Sequence, residues 1–413
     1  MRLLNTTTFE LDEFFGANIP PYAILSHRWT NSEVTFQDLL SGKGPEKEAW
    51  GKVLGCCAQA RKDGWQYAVC DSSGYSGTSV LLILLGKGLT SSQWIDTCCI
   101  DKSSSAELSE AINSMFRWYR AAQVCYAYLS DVSENEREHY DIGSAFRETK
   151  WFTRGWTLQE LLAPRTVIFY NCGWCEIGNK RSLETLISAI TGIEHLFGFE
   201  KASVAQKMSW ASKRETLREE DMAYCLLGLF GVNMPPLYGE GGKAFLRLQN
   251  EIMKVSDDES IFAWVDNTMP NGIGGLLARS PAAFKDSWDI EKCYSLSSQN
   301  LVPPYLMTNK GLQITLCLYL PKRTRAERLR ACKNGVEEQE INIPYTAFLA
   351  CVRRGKFGMV AVKLAKHIQG REEYSRISCD KLYYPIDQVK GSLAERTIFI
   401  RQNENYIENS TGN

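Results

Sequence analysis

WIDTCCIDKSSSAELSEAINSMFRWYRAAQVCYAYLSDV (residues 94–132) is the stretch that decides the fold. Residues 94–100 are a short apolar run of the kind that fills a buried strand. Ser104 and Glu107 then stand at the spacing of a capping box. Beyond them Leu108, Ile112, Met115, Phe116 and Tyr119 recur at helical spacing, with Glu110, Arg117 and Arg120 on other faces, which predicts a helix over 105–122. Residues 124–129 return to a continuous apolar run. Strand, helix and strand in this order predict a parallel sheet.

Outward from this unit the same alternation continues. On the N-terminal side Pro20 and Pro21 precede an apolar strand at 22–26, which breaks at Ser26-His27-Arg28-Trp29 as a loop at a strand end would. On the other side a polar, acidic loop at 133–140 is followed by the run 151–156, a helix at 157–162, a stop at Pro164 and a fourth strand at 166–170. Helical patterns recur at 183–190, 221–230 and 243–255, the last with Phe245, Leu248, Ile252 and Val255 as its apolar stripe. Beyond about residue 265 the texture changes to strands without helices between them, at 313–320, 341–352, 359–364 and 397–401. The organisation read from these patterns is a domain over 1–170, a helical region over 171–264 and a β-rich region over 265–413.

Composition narrows the function classes. A net charge of −1 gives no global attraction to nucleic acid or to an anionic membrane. No run approaches the roughly 20 apolar residues that span a bilayer, and the opening MRLLNTTTFELDEFF lacks the apolar core of a signal peptide. Cys56, Cys57, Cys98, Cys99, Cys125 and Cys225 lie among apolar residues, where free cysteine packs as a small hydrophobe. A reducing cytoplasm is the expected location.

One segment breaks the pattern. Residues 69–93 (VCDSSGYSGTSVLLILLGKGLTSSQ) interrupt what reads as one strand, because removing them joins Tyr67-Ala68 to Trp94 and gives YAWIDTCCI. Val69-Cys70 can be encoded as GTATGT, Leu89-Thr90 as a CTAAC-like branch site, and Gln93 as CAG. These ends fit a translated, unspliced intron, and such an insert is expected to disorder the central sheet. A genuine surface loop is the alternative, although a loop of this length inside a strand is unusual.

The blocks YAILSHRW (22–29), 94–132 and RGWTLQELLAP (154–164) closely resemble the three blocks of the heterokaryon incompatibility (HET) domain. REEDMAYCLLGLFGVNMPPLYGEGGKAFLRLQNEI (218–252) resembles the region that follows it in such proteins. The resemblance implies an α/β, TIR-like (flavodoxin-like) parallel sheet flanked by helices. It also implies a role in fungal vegetative incompatibility and regulated cell death, with self-association and a protein partner. Some enzymatic TIR domains carry a catalytic glutamate in the block that WTLQEL resembles, and on that alignment it is Glu160.

Were the module to cleave NAD as its substrate, the chemistry would resemble glycoside hydrolysis, with Glu160 stabilising an oxocarbenium-like ribose. Ser26, His27, Arg28 and Trp29 stand where open α/β sheets bind ligands, Arg28 suited to phosphate and Trp29 to stacking on a ring. Asp96 can orient Arg28 or His27, or cap a neighbouring loop, and Trp156 belongs either to this set or to the core. Against catalysis stand a solvated Glu160 and purely assembly-based signalling, and an inactive family member is a further alternative. No cofactor or metal is required. Cys172-Gly-Trp-Cys175 has the spacing of half a zinc site with no second pair, so buried thiols are the expectation over a redox pair. Gly239-Glu-Gly-Gly-Lys243 fails as a phosphate loop, which needs glycine where Leu237 or Tyr238 stands and Ser or Thr where Ala244 stands; it reads as a turn before a helix.

Sequencing the transcript tests the intron reading: a spliced message lacking codons 69–93 is expected, and finding only message that retains them contradicts it.

Overall fold

The computed structural model describes residues 1–28, 33–65, 67–69, 92–94, 99–101, 103–135, 139–269, 272–293, 303–320, 344–367, 372–385 and 392–402. The chain divides into two compact units, Met1–Phe199 with Arg214–Leu237, and Glu200–Lys213 with Tyr238–Asn413.

In the first unit, strands β1 (Arg2–Asn5) and β2 (Leu11–Glu13) form an antiparallel pair, and β3 is Ala23–His27. Helices α1 (Phe36–Leu40) and α2 (Trp50–Lys62) follow, then β4 (Tyr67–Val69) and β5 (Ser92–Trp94). Helix α3 (Ser105–Ala121) leads into β6 (Val124–Tyr128). The short helices α4 (Ala145–Glu148) and α5 (Thr157–Leu162) precede β7 (Val167–Tyr170), β8 (Glu176–Asn179) and α6 (Glu184–Thr191).

The predicted parallel sheet is present. Its strand order is β3-β6-β7-β8, with β3, β6 and β7 parallel and β8 antiparallel at the edge. Every residue of β3 and β6 is buried, as parallel strands covered on both faces should be. Ile112, Met115 and Tyr119 of α3 are buried as the periodicity predicts, and Ala111 and Trp118 widen the stripe. The Ser104 hydroxyl accepts the Glu107 N–H at 3.3 Å, but only half of the capping box forms. The Glu107 carboxylate instead accepts the Asp101 N–H at 2.8 Å and binds Arg2.

The second predicted strand differs. A strand covers Ser92–Trp94, while Cys99 and Ile100 are buried outside any strand and residues 95–98 lie outside the described residues. Nor do Tyr67-Ala68 and Trp94 lie end to end. β4 and β5 lie side by side in parallel, Tyr67 opposite Ser92 and Val69 opposite Trp94. β1 pairs antiparallel with β5 on the other side, giving a separate sheet of order β2-β1-β5-β4. Lateral pairing satisfies the backbone groups at both ends of the 69–93 segment, an outcome that apolar runs alone do not encode. The parallel core of β3, β6 and β7 forms with that segment in the chain. Of the proposed insert, residues 70–91 lie outside the described residues.

The first unit also holds α8 (Asp221–Tyr224) and α9 (Leu227–Phe230), while α7 (Val204–Ala211) and α10 (Lys243–Val255) belong to the second. Phe245, Leu248 and Ile252 are the buried stripe of α10, but Val255 is 67% exposed, which corrects its predicted place; buried Ala244 and Gln249 complete the face. The GEGGK turn does precede α10, with Gly239 and Gly241 at φ +104° and +57°, a region glycine enters without strain.

The rest of the second unit is β-rich, as predicted. Its strands are β9 (Ile290–Lys292), β10 (Leu306–Thr308), β11 (Gly311–Leu320), β12 (Tyr345–Arg353), β13 (Met359–Lys366), β14 (Glu373–Ile377) and β15 (Ser392–Ile400). Pairings β11–β15, β15–β14, β14–β13, β13–β12 and β12–β11 close on themselves as a ring, so these five strands leave no unpaired edge among them. Leu312, Ile314, Leu316 and Leu318 of β11 are buried in alternation and fill its interior. The β12 register shifts between Phe348 and Val352, and there the Ala350 N–H donates to Glu259 Oε2 at 2.7 Å. Burial pushes the Glu259 carboxyl up to about 7, against the opposing pull of that N–H. No helix among the described residues is long and apolar enough to cross a membrane.

Candidate functional site

Alternate residues of a strand face opposite sides of the sheet, and this divides the candidate residues at the end of β3. Ser26 lies opposite Ala127, which lies opposite Phe169. His27 lies opposite Tyr128, which lies opposite Tyr170. The two rows therefore face different helices.

On the Ser26 side, the Trp151 indole Nε1–H donates to Ser26 Oγ at 2.8 Å, and the Ser26 hydroxyl donates to Glu160 Oε2. Ser26 is fully buried, and Glu160, in the first turn of α5, is only 8% exposed. The reading of Glu160 as a solvated helix residue is thereby corrected. A carboxylate this buried needs donors to offset its desolvation, and the first turn of a helix favours negative charge as well. Trp151 is itself locked among Phe152 and Phe169, with ring centroids at 5.2 and 5.5 Å.

Arg214 adds a cation. It is 6% exposed, and its Nη1 donates to the Arg154 carbonyl at 2.8 Å and to Thr157 Oγ1 at 3.1 Å. Burial lowers its pKa to about 10, while Cys225 and Glu160 act in the opposite direction. The strand-like segment around Arg214 runs beside 153–155, with the Gly155 N–H on the Glu215 carbonyl at 2.8 Å and the Glu215 N–H on the Thr153 carbonyl at 2.7 Å. A Cβ at Gly155 would lie 2.5 Å from Thr216 Cγ2, so the RGW motif needs its glycine for this approach. At the far end of α5 the buried Lys180 donates to the Leu162 and Pro164 carbonyls, both at 3.2 Å, placing a cation on the helix C-terminus.

On the other face His27 is 2% exposed, with Nε2 3.6 Å from Glu33 Oε1. Burial lowers its pKa to about 3, Lys52 and Arg154 add to the shift, and Glu33 opposes it. His27 is therefore a neutral imidazole near pH 7. Lys52 of α2, also buried, stands over the Tyr128 ring at 5.4 Å. Trp174 packs on Tyr128 and Tyr170, with centroids at 5.0 and 5.4 Å.

Of the residues singled out in the sequence, Ser26 and Glu160 meet, although 134 positions apart. His27 turns away from them. Arg28 is exposed just beyond β3, and Trp156 is half-buried where α5 begins. Trp29 and Asp96 lie outside the described residues. Trp151, Thr157 and Arg214 were not anticipated. Trp151 and Thr157 lie in or beside the RGWTLQELLAP block and were within reach of its reading, whereas nothing local marks Arg214. The expectation of buried thiols at Cys172 and Cys175 is corrected: both are exposed, at a hairpin whose tight turn leaves their side chains outside the core. No group of three or more His, Cys, Asp or Glu among the described residues is arranged to hold a metal ion.

The family model described as Heterokaryon incompatibility protein (HET) matches residues 22–144. The Vegetative incompatibility protein HET-E-1 of Podospora anserina is 46% identical over 320 residues, which is 73% of this chain and 22% of that relative. The chain thus spans about a fifth of the curated relative it matches. No solved structure matches.

The neutral burial of His27 carries a pH signature. Its folded-state pKa lies below the unfolded value, so its contribution is fully present above about pH 6.5 and is lost as pH falls toward 3. Urea unfolding at stepped pH is expected to show wild type losing about 1 kcal/mol more per pH unit below 6 than His27→Gln. Parallel slopes contradict the assignment.

Proposed function

The chain carries a heterokaryon incompatibility (HET) domain, and on that premise we propose that it acts in fungal vegetative incompatibility as a death-signalling module that works by self-association. The family match over residues 22–144 and the 46% identity to a vegetative incompatibility protein support the role. One observation favours assembly over catalysis. Glu160 is 8% exposed and one of its oxygens accepts a hydrogen bond from the Ser26 hydroxyl. A carboxylate that stabilises an oxocarbenium ion must instead face the sugar. In this reading Glu160 fixes α5 against β3, and the TIR-like surface that this frame carries makes the self-contacts and recruits a protein partner in the cytoplasm.

NAD cleavage is the second reading. The observation that favours it is the meeting of Ser26 and Glu160 near the carboxyl end of a parallel strand, the usual place for ligands in open α/β sheets.

Expression of the full chain and of Glu160→Gln in fungal cells, with purified protein incubated with NAD, separates the two. Glu160→Gln is isosteric and keeps an acceptor for Ser26. Killing within about twofold of wild type and no nicotinamide release from either protein are expected. Nicotinamide release by wild type that Glu160→Gln abolishes, at an unchanged unfolding midpoint, makes the module an enzyme. Killing only by a form lacking residues 69–93 identifies the present chain as the inactive member.

A further inference from the structure

Cys172 and Cys175 take no part in the Ser26–Glu160 network, and they are the two cysteines that are exposed among the described residues. The turn that joins β7 to β8 holds them. The Trp174 N–H donates to the Asn171 carbonyl at 3.0 Å, and the Asn171 N–H donates to the Cys175 carbonyl at 3.0 Å. Asn171 Oδ1 accepts from the N–H groups of Gly173 and Cys175 at 3.1 and 2.9 Å. From outside the turn, the Cys172 N–H donates to the Val132 carbonyl at 2.9 Å and the Cys172 carbonyl accepts the Tyr128 hydroxyl at 2.9 Å. The β-turn itself spans Asn171–Trp174, and the two bonds between Asn171 and Cys175 hold Cys175 beside the residue that precedes Cys172, so the two cysteines flank one short loop.

The residue between the thiols is unusual. Trp174 has φ +58°, a left-handed conformation that costs a bulky residue energy and that glycine normally supplies at such a turn. Its ring packs on Tyr128 and Tyr170, which stand in register with His27 at the carboxyl rim of the sheet. Beneath it a Cβ on Gly55 of α2 would lie 2.2 Å from Trp174 Nε1, so the indole is seated against that helix. A bond between Cys172 and Cys175 would clamp the backbone on both sides of this indole.

We propose that Cys172 and Cys175 are a thiol-modification site, a dithiol that peroxide converts to an intramolecular disulfide fixing Trp174 on the carboxyl rim. One thiolate attacks a peroxide oxygen, the O–O bond breaks, and a sulfenic acid and water result. The second thiol attacks that sulfur, the S–S bond forms, and hydroxide leaves with the thiol proton as a second water. Two thiols and one hydrogen peroxide thus give one disulfide and two waters. Exposure makes the pair accessible, and its partner three residues away intercepts the sulfenic acid before further oxidation.

The test uses the reduced full chain, exposed to hydrogen peroxide at concentrations that leave its circular dichroism unchanged, then alkylated and digested with trypsin. Residues 166–180 form one tryptic peptide containing both cysteines and no other. That peptide is expected to lose two hydrogens and refuse alkylation at least about tenfold faster than the buried Cys56, Cys57 or Cys125 are oxidised. Dithiothreitol restores it, and Cys172→Ser abolishes the two-hydrogen loss. Oxygen adducts on either cysteine without loss of two hydrogens, or oxidation no faster than at the buried cysteines, overturns the proposal.

Discussion

The Ser26 hydroxyl is the hinge of the first unit's chemistry. It accepts a hydrogen bond from the Trp151 indole N–H, donates one to Glu160, and is fully buried between β3 and α5. A hydroxyl in that position cannot be exchanged for a methyl without leaving polar neighbours to find other partners, at a cost of about 1–3 kcal/mol per unmet group. Around it the sequence supplies what a buried carboxylate requires: the first turn of a helix, a guanidinium at Arg214, and a glycine at 155 that lets the Arg214 segment come close. Lys180 holds the other end of the same short helix. A six-residue helix is marginal alone, so these side-chain anchors set its place on the sheet.

The faces of that sheet carry different chemistry. Ser26 and Glu160 share one side, where hydrogen bonds and aromatic packing exclude water. His27, Lys52, Tyr128 and Trp174 share the other, where burial holds the imidazole neutral and a cation lies over a ring. A single loop sequence, Ser26-His27-Arg28-Trp29, reads as one ligand-binding cluster when written in a line. The pleat of the strand separates its first two members. In the second unit a comparable polar exception occurs at Glu259, which answers an irregularity in β12 by accepting the Ala350 N–H.

Local periodicity carried most of the fold. The helix at 157–162 and the one at 243–255 have the bounds expected, because apolar spacing, Pro164 and the glycine-rich turn mark their limits. The strand–helix–strand unit around α3 was legible at its helix and at β6. At its first strand the apolar run was real, yet pairing with β1 and β4 decided where the strand lies, and pairing partners are not written in a run of apolar letters. Short polar strands such as β2 and β8 gave no period to find. The Ser26–Glu160 pair was legible only through family resemblance, since nothing in either block names the other. Arg214 was invisible because its work is done across 60 positions of sequence with the Arg154 carbonyl.

The most direct measurement is a double-mutant cycle by urea unfolding with Ser26→Ala, Glu160→Ala and the double variant. A hydrogen-bonded buried pair that ties β3 to α5 gives a coupling energy of about 1–3 kcal/mol, the double variant losing less than the sum of the singles. Additivity within about 0.3 kcal/mol means that the two side chains do not depend on one another, and the frame built on them fails.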